Sequence, residues 1–359
     1  MNNSSLPGSM ELLQPIKNFL QDPEISEIIL NKPQEIWIEK SGVLIQESIF
    51  IEAFTEIYLH RLFQLIANEN QQKISKTYPL LSGSLLDGSR VQLCIPPVSK
   101  HYVFSIRRKT IRNLCLKDYE AMGFYQQAYI SHIGLDRDTG IDLVSPLTLP
   151  SPPAPLPLVV EGRNTNNSNQ KLLDLYHSQN FPEFINQAIL NKKNIVISGG
   201  TSSGKTTFLN SCLKNIPLDQ RLIILEDTRE IEIPHLNQVQ LLAFKSDQGE
   251  SQISMQDLVQ CCLRLRPDRI IMGEIRGREI MDFVSACSTG HECSLTTIHA
   301  NNPEIAFMRM TQMYKLNQVP SMTDQDILRE LKSVIDIIIQ INKTPEGRRV
   351  QGVYFKENL

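Results

Sequence analysis

Long apolar runs are missing from this 359-residue chain, and none approaches the ~20 residues that a membrane-spanning helix needs. Any membrane association is therefore expected to be peripheral. Residues 1–10 lack both a basic stretch and an apolar stretch, so they do not read as a secretory signal and are expected to form a disordered tail. Seven cysteines, at 94, 115, 212, 261, 262, 287 and 293, show no CxxC pair, which disfavours both a disulfide framework and a zinc module. Adjacent Cys261 and Cys262 would struggle to share one metal and are expected to be buried on a helix. An excess of positive charge is also absent. A formal net charge of -3 gives no support for a broad nucleic-acid surface, and no basic and aromatic residues interleave as a strand-translocating pore would require.

What is present divides into three stretches. Residues 11–133 alternate helical and strand-like patterns and predict an α+β module with an antiparallel sheet. Helical spacing covers 11–20 and 54–67, the latter with Ile57, Leu59, Leu62 and Ile66 on one side. Strand patterns cover 25–30, 36–38, 90–95 and 102–107, with Asn31, Lys32 and Pro33 as turn residues in the first pair and a Pro96–Pro97 turn in the last. Residues 134–170 are rich in proline and then asparagine. Prolines remove backbone donors and the Asn/Ser tract has nothing to bury, which predicts a linker. From 171 to 359 near-continuous apolar strands at 194–198, 221–225, 269–273 and 293–298 alternate with helices, as in a parallel sheet covered on both faces.

Chemistry concentrates in that last stretch. Gly199-Gly200-Thr201-Ser202-Ser203-Gly204-Lys205-Thr206 has the form of a phosphate loop between a buried strand and a helix. Its glycines let backbone N–H groups close on phosphates, and Lys205 places a cation at the β- and γ-phosphates. Thr206 offers a hydroxyl to Mg²⁺, Thr207 is a further nucleotide contact, and the helix presents its positive end to the anion. The reading is ATP with Mg²⁺.

Two acidic segments leave strands at the same edge, where open α/β sheets bind ligands. In Leu225-Glu226-Asp227-Thr228-Arg229-Glu230, Glu226 is placed to orient water or Mg²⁺ and Arg229 to meet phosphate charge; a solvated acidic turn is the other reading. In Arg266-Pro267-Asp268 through Gly273-Glu274-Ile275-Arg276, an apolar strand carries Glu274 to its end to bind the Mg²⁺ shell or polarise the attacking water. Arg276 and Arg278 read either as charges at a subunit edge or as surface ion pairs with Glu279 or Asp282. His291 and His299 lie near opposite ends of the next strand. With no ligand quartet around them, contact with the γ-phosphate or with Glu274 is the functional reading for His299, against a structural one.

In this order the four segments resemble those of the secretion-ATPase superfamily: a Walker A loop, an acidic "Asp box" (225–230), a Walker B strand (266–274) and a "His box" (289–299). Within it, the segments 23–39, 83–97 and 105–108 are similar to the N-terminal domain of the traffic ATPase of bacterial type IV secretion systems. The resemblance implies a RecA-like C-terminal domain behind the α+β domain, with nucleotide between them and Arg90 and Arg107 reaching toward its phosphates. It implies catalytic roles for Glu274, Glu226, His299 and Arg107. It also implies a homo-hexameric ring, peripheral at the cytoplasmic face of the inner membrane, whose partners are other ATPases and inner-membrane components of the secretion system, with no direct contact to nucleic acid. A type II secretion or type IV pilus motor is the alternative within the superfamily. A nucleotide-binding scaffold without turnover and a DNA translocase are readings from other classes.

Overall fold

The computed structural model describes residues 8–40, 43–44, 47–108, 114–131, 167–243, 253–288 and 294–358. Most of the expected tail, the core of the expected linker, and His291 with its neighbours 289–293 lie outside the described residues.

The N-terminal part is a sheet of short strands: β1 (Ile25–Lys32), β2 (Glu35–Lys40), β3 (Val43–Leu44), β4 (Ile49–Phe50), β5 (Leu80–Ser84), β6 (Arg90–Cys94) and β7 (Val103–Arg107). The order is β3-β2-β1-β7-β6-β5, with β4 against β2, and every pairing is antiparallel. Asn31 and Lys32 fall inside β1, leaving Pro33 and Gln34 to make the turn. The 11–20 stretch is helical but divided, because Pro15 cannot continue the first helix: Ser9–Leu12 passes through a 3-10 turn to Lys17–Gln21. Across the sheet lies Glu56–Glu69, capped by Thr55, whose hydroxyl accepts from the Tyr58 amide. Its buried face is Leu59, Leu62, Phe63, Ile66 and Ala67. Ile57 is off that face and 78% exposed, against its expected place in the apolar row.

The C-terminal part is a second sheet, containing β8 (Tyr129–Ile130), β9 (Ile195–Gly199), β10 (Leu222–Glu226), β11 (Gln238–Leu242), β12 (Arg269–Ile275), β13 (Leu295–Ile298), β14 (Ile337–Thr344) and β15 (Gly347–Phe355). Its order is β11-β10-β12-β13-β9-β14-β15-β8, parallel except for the β14–β15 hairpin. The chain is thus α/β, with an α+β part before a mostly parallel sheet. Strands β9, β10 and β13 are buried on both faces, which is why they read as unbroken apolar runs. Ile195 and Ile197 point into one core and Val196 into the other. Four strands were expected here. The others include the half-buried edge strand β11 and the hairpin, whose place beside β9 rests on pairing across more than a hundred residues.

Residues 114–131 pack with this second core, although composition placed them with the N-terminal module. Leu116, Tyr119 and Phe124 are buried there, and the rings of Tyr119 and Phe124 lie 5.1 and 5.3 Å from that of Phe208 on the phosphate-loop helix. On the helix Met255–Cys262, Cys262 is buried as expected while Cys261 is exposed, since adjacent helical positions point about 100° apart. Among the described residues no helix is long and apolar enough to cross a membrane.

Candidate active site

The loop from Gly199 to Gly204 joins β9 to the helix Lys205–Leu213. It turns through left-handed conformations at Ser202 (φ 59°) and Gly204 (φ 93°), the second of which suits glycine alone. A Cβ on Gly199 would stand 2.5 Å from the Ile341 carbonyl oxygen of β14, so the strand order itself demands glycine there. A Cβ on Gly200 would meet nothing within 4 Å. Thr201, Ser202, Ser203, Gly204, Lys205, Thr206 and Thr207 all line one cleft.

Lys205 is folded onto its own loop. Its Nζ donates to the carbonyls of Gly199 (2.8 Å) and Gly200 (2.9 Å) and lies 3.3 Å from His299 Nδ1. Burial pushes this ammonium down to about 8. The Ser203 hydroxyl is buried with no hydrogen-bond partner among the described residues. An anion in the cleft would satisfy both groups.

The two carboxylates expected at the strand ends differ in what they do. Glu226, at the end of β10, is buried, and its Oε1 accepts from the amides of Glu230 and Ile231, each at 2.7 Å. It fixes the turn 227–231. Asn210 of the phosphate-loop helix braces the same turn, donating to the Glu230 carbonyl (2.9 Å) and accepting from the Glu232 amide (3.1 Å). Glu274, in β12, faces the cleft more openly. Its Oε2 pairs with Arg276 at 2.5 Å, and its Oε1 stands 3.0 Å from His299 Nε2. That second contact lacks hydrogen-bond alignment, which leaves a buried carboxylate oxygen without a hydrogen bond among the described residues. His299 is held below its ordinary range by burial, against the pull of Glu274.

Arg276, though exposed, lines the cleft. Its guanidinium bridges Asp227 and Glu274, and only its backbone amide reaches Glu279, at 2.6 Å. Asp282 instead accepts from Gln256 and Gln260. Arg229 turns away from the cleft to Gln240 at 3.2 Å, so the phosphate contact expected of it is not what the structure places there.

From the N-terminal sheet, Arg90 and Arg107 arrive together because β6 and β7 pair them across the strands. Both reach the cleft over the phosphate loop of their own chain, as does Arg108, which is anchored by the carbonyls of Asp22 and Ile25. They are not equivalent. Arg90 is engaged by the acidic turn, its Nε 2.6 Å from Glu230 Oε1, while Arg107 is exposed and forms no ion pair among the described residues.

Sequence reasoning missed Arg348 of β15, whose Nε donates to the Ser202 carbonyl at 3.1 Å and whose Cδ is 3.0 Å from where a Gly204 Cβ would be. It sits 143 residues past Lys205, and only the hairpin's place beside β9 brings it to the loop. Thr297 was likewise unassigned; its hydroxyl donates to the Gly273 carbonyl at 2.8 Å. Cations from three places thus converge on a cleft whose floor holds Glu226 and Glu274. This arrangement suits a polyphosphate. A hard divalent cation fits it as well, since a hydroxyl (Thr206) and a carboxylate reached through a water of the metal's shell (Glu274) are the donors that Mg²⁺ takes.

Comparison with known proteins agrees with that chemistry. Residues 155–345 match the family described as "Type II/IV secretion system protein". The type IV secretion system protein VirB11 of Bartonella henselae is 31% identical, over 96% of this chain and 91% of its own. VirB11 of Brucella suis is 29% identical over 96% of this chain and 90% of its own. The crystal structure of the Brucella suis VirB11 ATPase in complex with sulphate superposes with a TM-score of 0.51 at 27% identity, covering 98% of this chain and 99% of that one.

Proposed function

The chain belongs to the type II/IV secretion system protein family, and on that premise we propose that it is a Mg-dependent ATPase whose turnover powers a type IV secretion system. The observation that carries this reading is the meeting of Lys205, Glu274 and His299 from the parallel sheet with Arg90 and Arg107 from the N-terminal one, all at one cleft.

Triphosphate entering the cleft lies against the backbone amides of 200–206, and Lys205 exchanges the Gly199 and Gly200 carbonyls for phosphate oxygens. Thr206 would hold Mg²⁺ directly and Glu274 through a water of its shell, and the metal would supply charge neutralisation on the phosphates. Glu274 Oε1 accepts a hydrogen bond from water and aims its oxygen at the γ-phosphorus, opposite the bridging oxygen that leaves with ADP. Glu226 serves by holding the adjoining turn, and His299 by holding Glu274 and Lys205 in register. Arg107, without a carboxylate partner among the described residues, is the arginine free to meet the γ-phosphate and to sense its loss.

The family supports the further reading that copies of this chain form a homo-hexameric ring at the cytoplasmic face of a bacterial inner membrane. There the ring would dock on inner-membrane components and other ATPases of the same system. Light scattering with and without Mg-ATP tests the ring: a hexamer with nucleotide is expected, and a monomer under both conditions overturns it.

A further inference from the structure

Charge contacts run without a gap from the N-terminal sheet to Glu274. Arg90 Nε lies 2.6 Å from Glu230 Oε1, and Arg90 Nη2 lies 3.8 Å from Asp227 Oδ1. The other oxygen of Asp227 accepts from Arg276 Nη1, and Arg276 Nη2 donates to Glu274 Oε2 at 2.5 Å. Asp227 is the member that faces both ways, with one oxygen toward each part of the chain. We propose that Asp227 is a positioning residue that couples the seating of the N-terminal sheet to the orientation of Glu274. The proposal rests on the ATPase reading above.

The geometry of guanidinium carries the argument. A planar fork held at both ends has one orientation, whereas a fork held at one end can swing. Arg276 is held by Asp227 and Glu274, so Asp227 fixes the plane in which Arg276 meets the carboxylate that acts on water. These groups are partly shielded from solvent, so the contacts count for more than surface pairs do. The turn carrying Asp227 cannot absorb a displacement freely, because Glu226 and Asn210 tie its backbone to β10 and to the phosphate-loop helix. Arg90, in turn, faces two competing anions, the acidic turn and a bound phosphate. When phosphate draws Arg90, Asp227 loses that contact while keeping the one to Arg276, and the catalytic carboxylate registers that the N-terminal sheet has closed. Asp227 offers no positive charge to a triphosphate and its oxygens are turned to Arg90 and Arg276, so it acts on turnover and not on affinity.

The test is a double-mutant cycle on the full chain, with Arg90→Ala and Asp227→Asn alone and together, and Arg90→Ala with Arg276→Gln run in parallel in case the first pair fails to fold. Each single variant should lower kcat by about tenfold, and Asp227→Asn should leave the dissociation constant for a fluorescent ATP analogue within about twofold. Each double variant should be no slower than its slower single. Losses that multiply to about a hundredfold would overturn the coupling, as would a loss of affinity in Asp227→Asn that accounts for its slower turnover. If the unmodified chain releases no phosphate from ATP, the functional reading itself fails, an outcome distinct from either.

Discussion

His299 Nε2 stands 3.0 Å from Glu274 Oε1 without the alignment of a hydrogen bond, so the carboxylate oxygen nearest the imidazole keeps its accepting capacity. That oxygen is the one the account assigns to water. Glu274→Gln keeps the shape and removes the charge. It should bind nucleotide about as well as the parent and lose on the order of 10²-fold or more in turnover, read by phosphate release beside nucleotide titration. Weakened binding with unchanged turnover would contradict the role.

Lys205 sets a pH dependence for binding. Its pKa in the free cleft is about 8 because of burial, and a triphosphate beside it favours the charged form and raises that value. Below about pH 8 the ammonium is already present and affinity should be flat. Above it, binding must take up a proton, and affinity should fall by up to about tenfold per pH unit until the raised pKa is reached. Calorimetry at pH 8.5 in buffers of different ionisation enthalpy should register proton uptake on binding; heats independent of the buffer would contradict it.

The motifs were legible because each is contiguous and sits where one strand ends. Gly199 to Thr206, Glu226 and Glu274 needed only the pattern of apolar strand followed by polar residues at the sheet's ligand-binding edge. Arg276 and Arg348 were not legible in the same way. Both carry ordinary surface residue types, and their partners, Asp227 and Ser202, are 49 and 146 residues away. The packing of 114–131 was hidden for a related reason. Tyr119 and Phe124 look like any aromatic pair in sequence, and only the position of Phe208 shows which core they fill.

That aromatic cluster gives a stability prediction. Phe208 is fully buried against Tyr119, Phe124 and Tyr125 at the back of the phosphate-loop helix. Phe208→Ala should cost about 3–5 kcal/mol in denaturant unfolding, through lost burial and the cavity left behind. A cost below about 1 kcal/mol would mean that the helix does not depend on the 114–131 segment.

Gly199 and Gly200 should part company. Alanine at 199 meets the Ile341 carbonyl and should lower the melting temperature of the free protein, since backbone cannot step aside as a side chain can. Alanine at 200 meets nothing within 4 Å in the free protein and should leave the melting temperature unchanged, while any loss there should appear only in nucleotide binding. Thermal melts with and without Mg-ATP separate the two.

On the proposed function, this cleft hydrolyses ATP through Lys205 and its neighbours. Phosphate release from Mg-ATP, measured side by side for the unmodified chain and Lys205→Ala, tests it most directly. Steady turnover is expected in the first and a rate at background in the second; equal rates in the two, both near background, would mean that the cleft does not hydrolyse ATP.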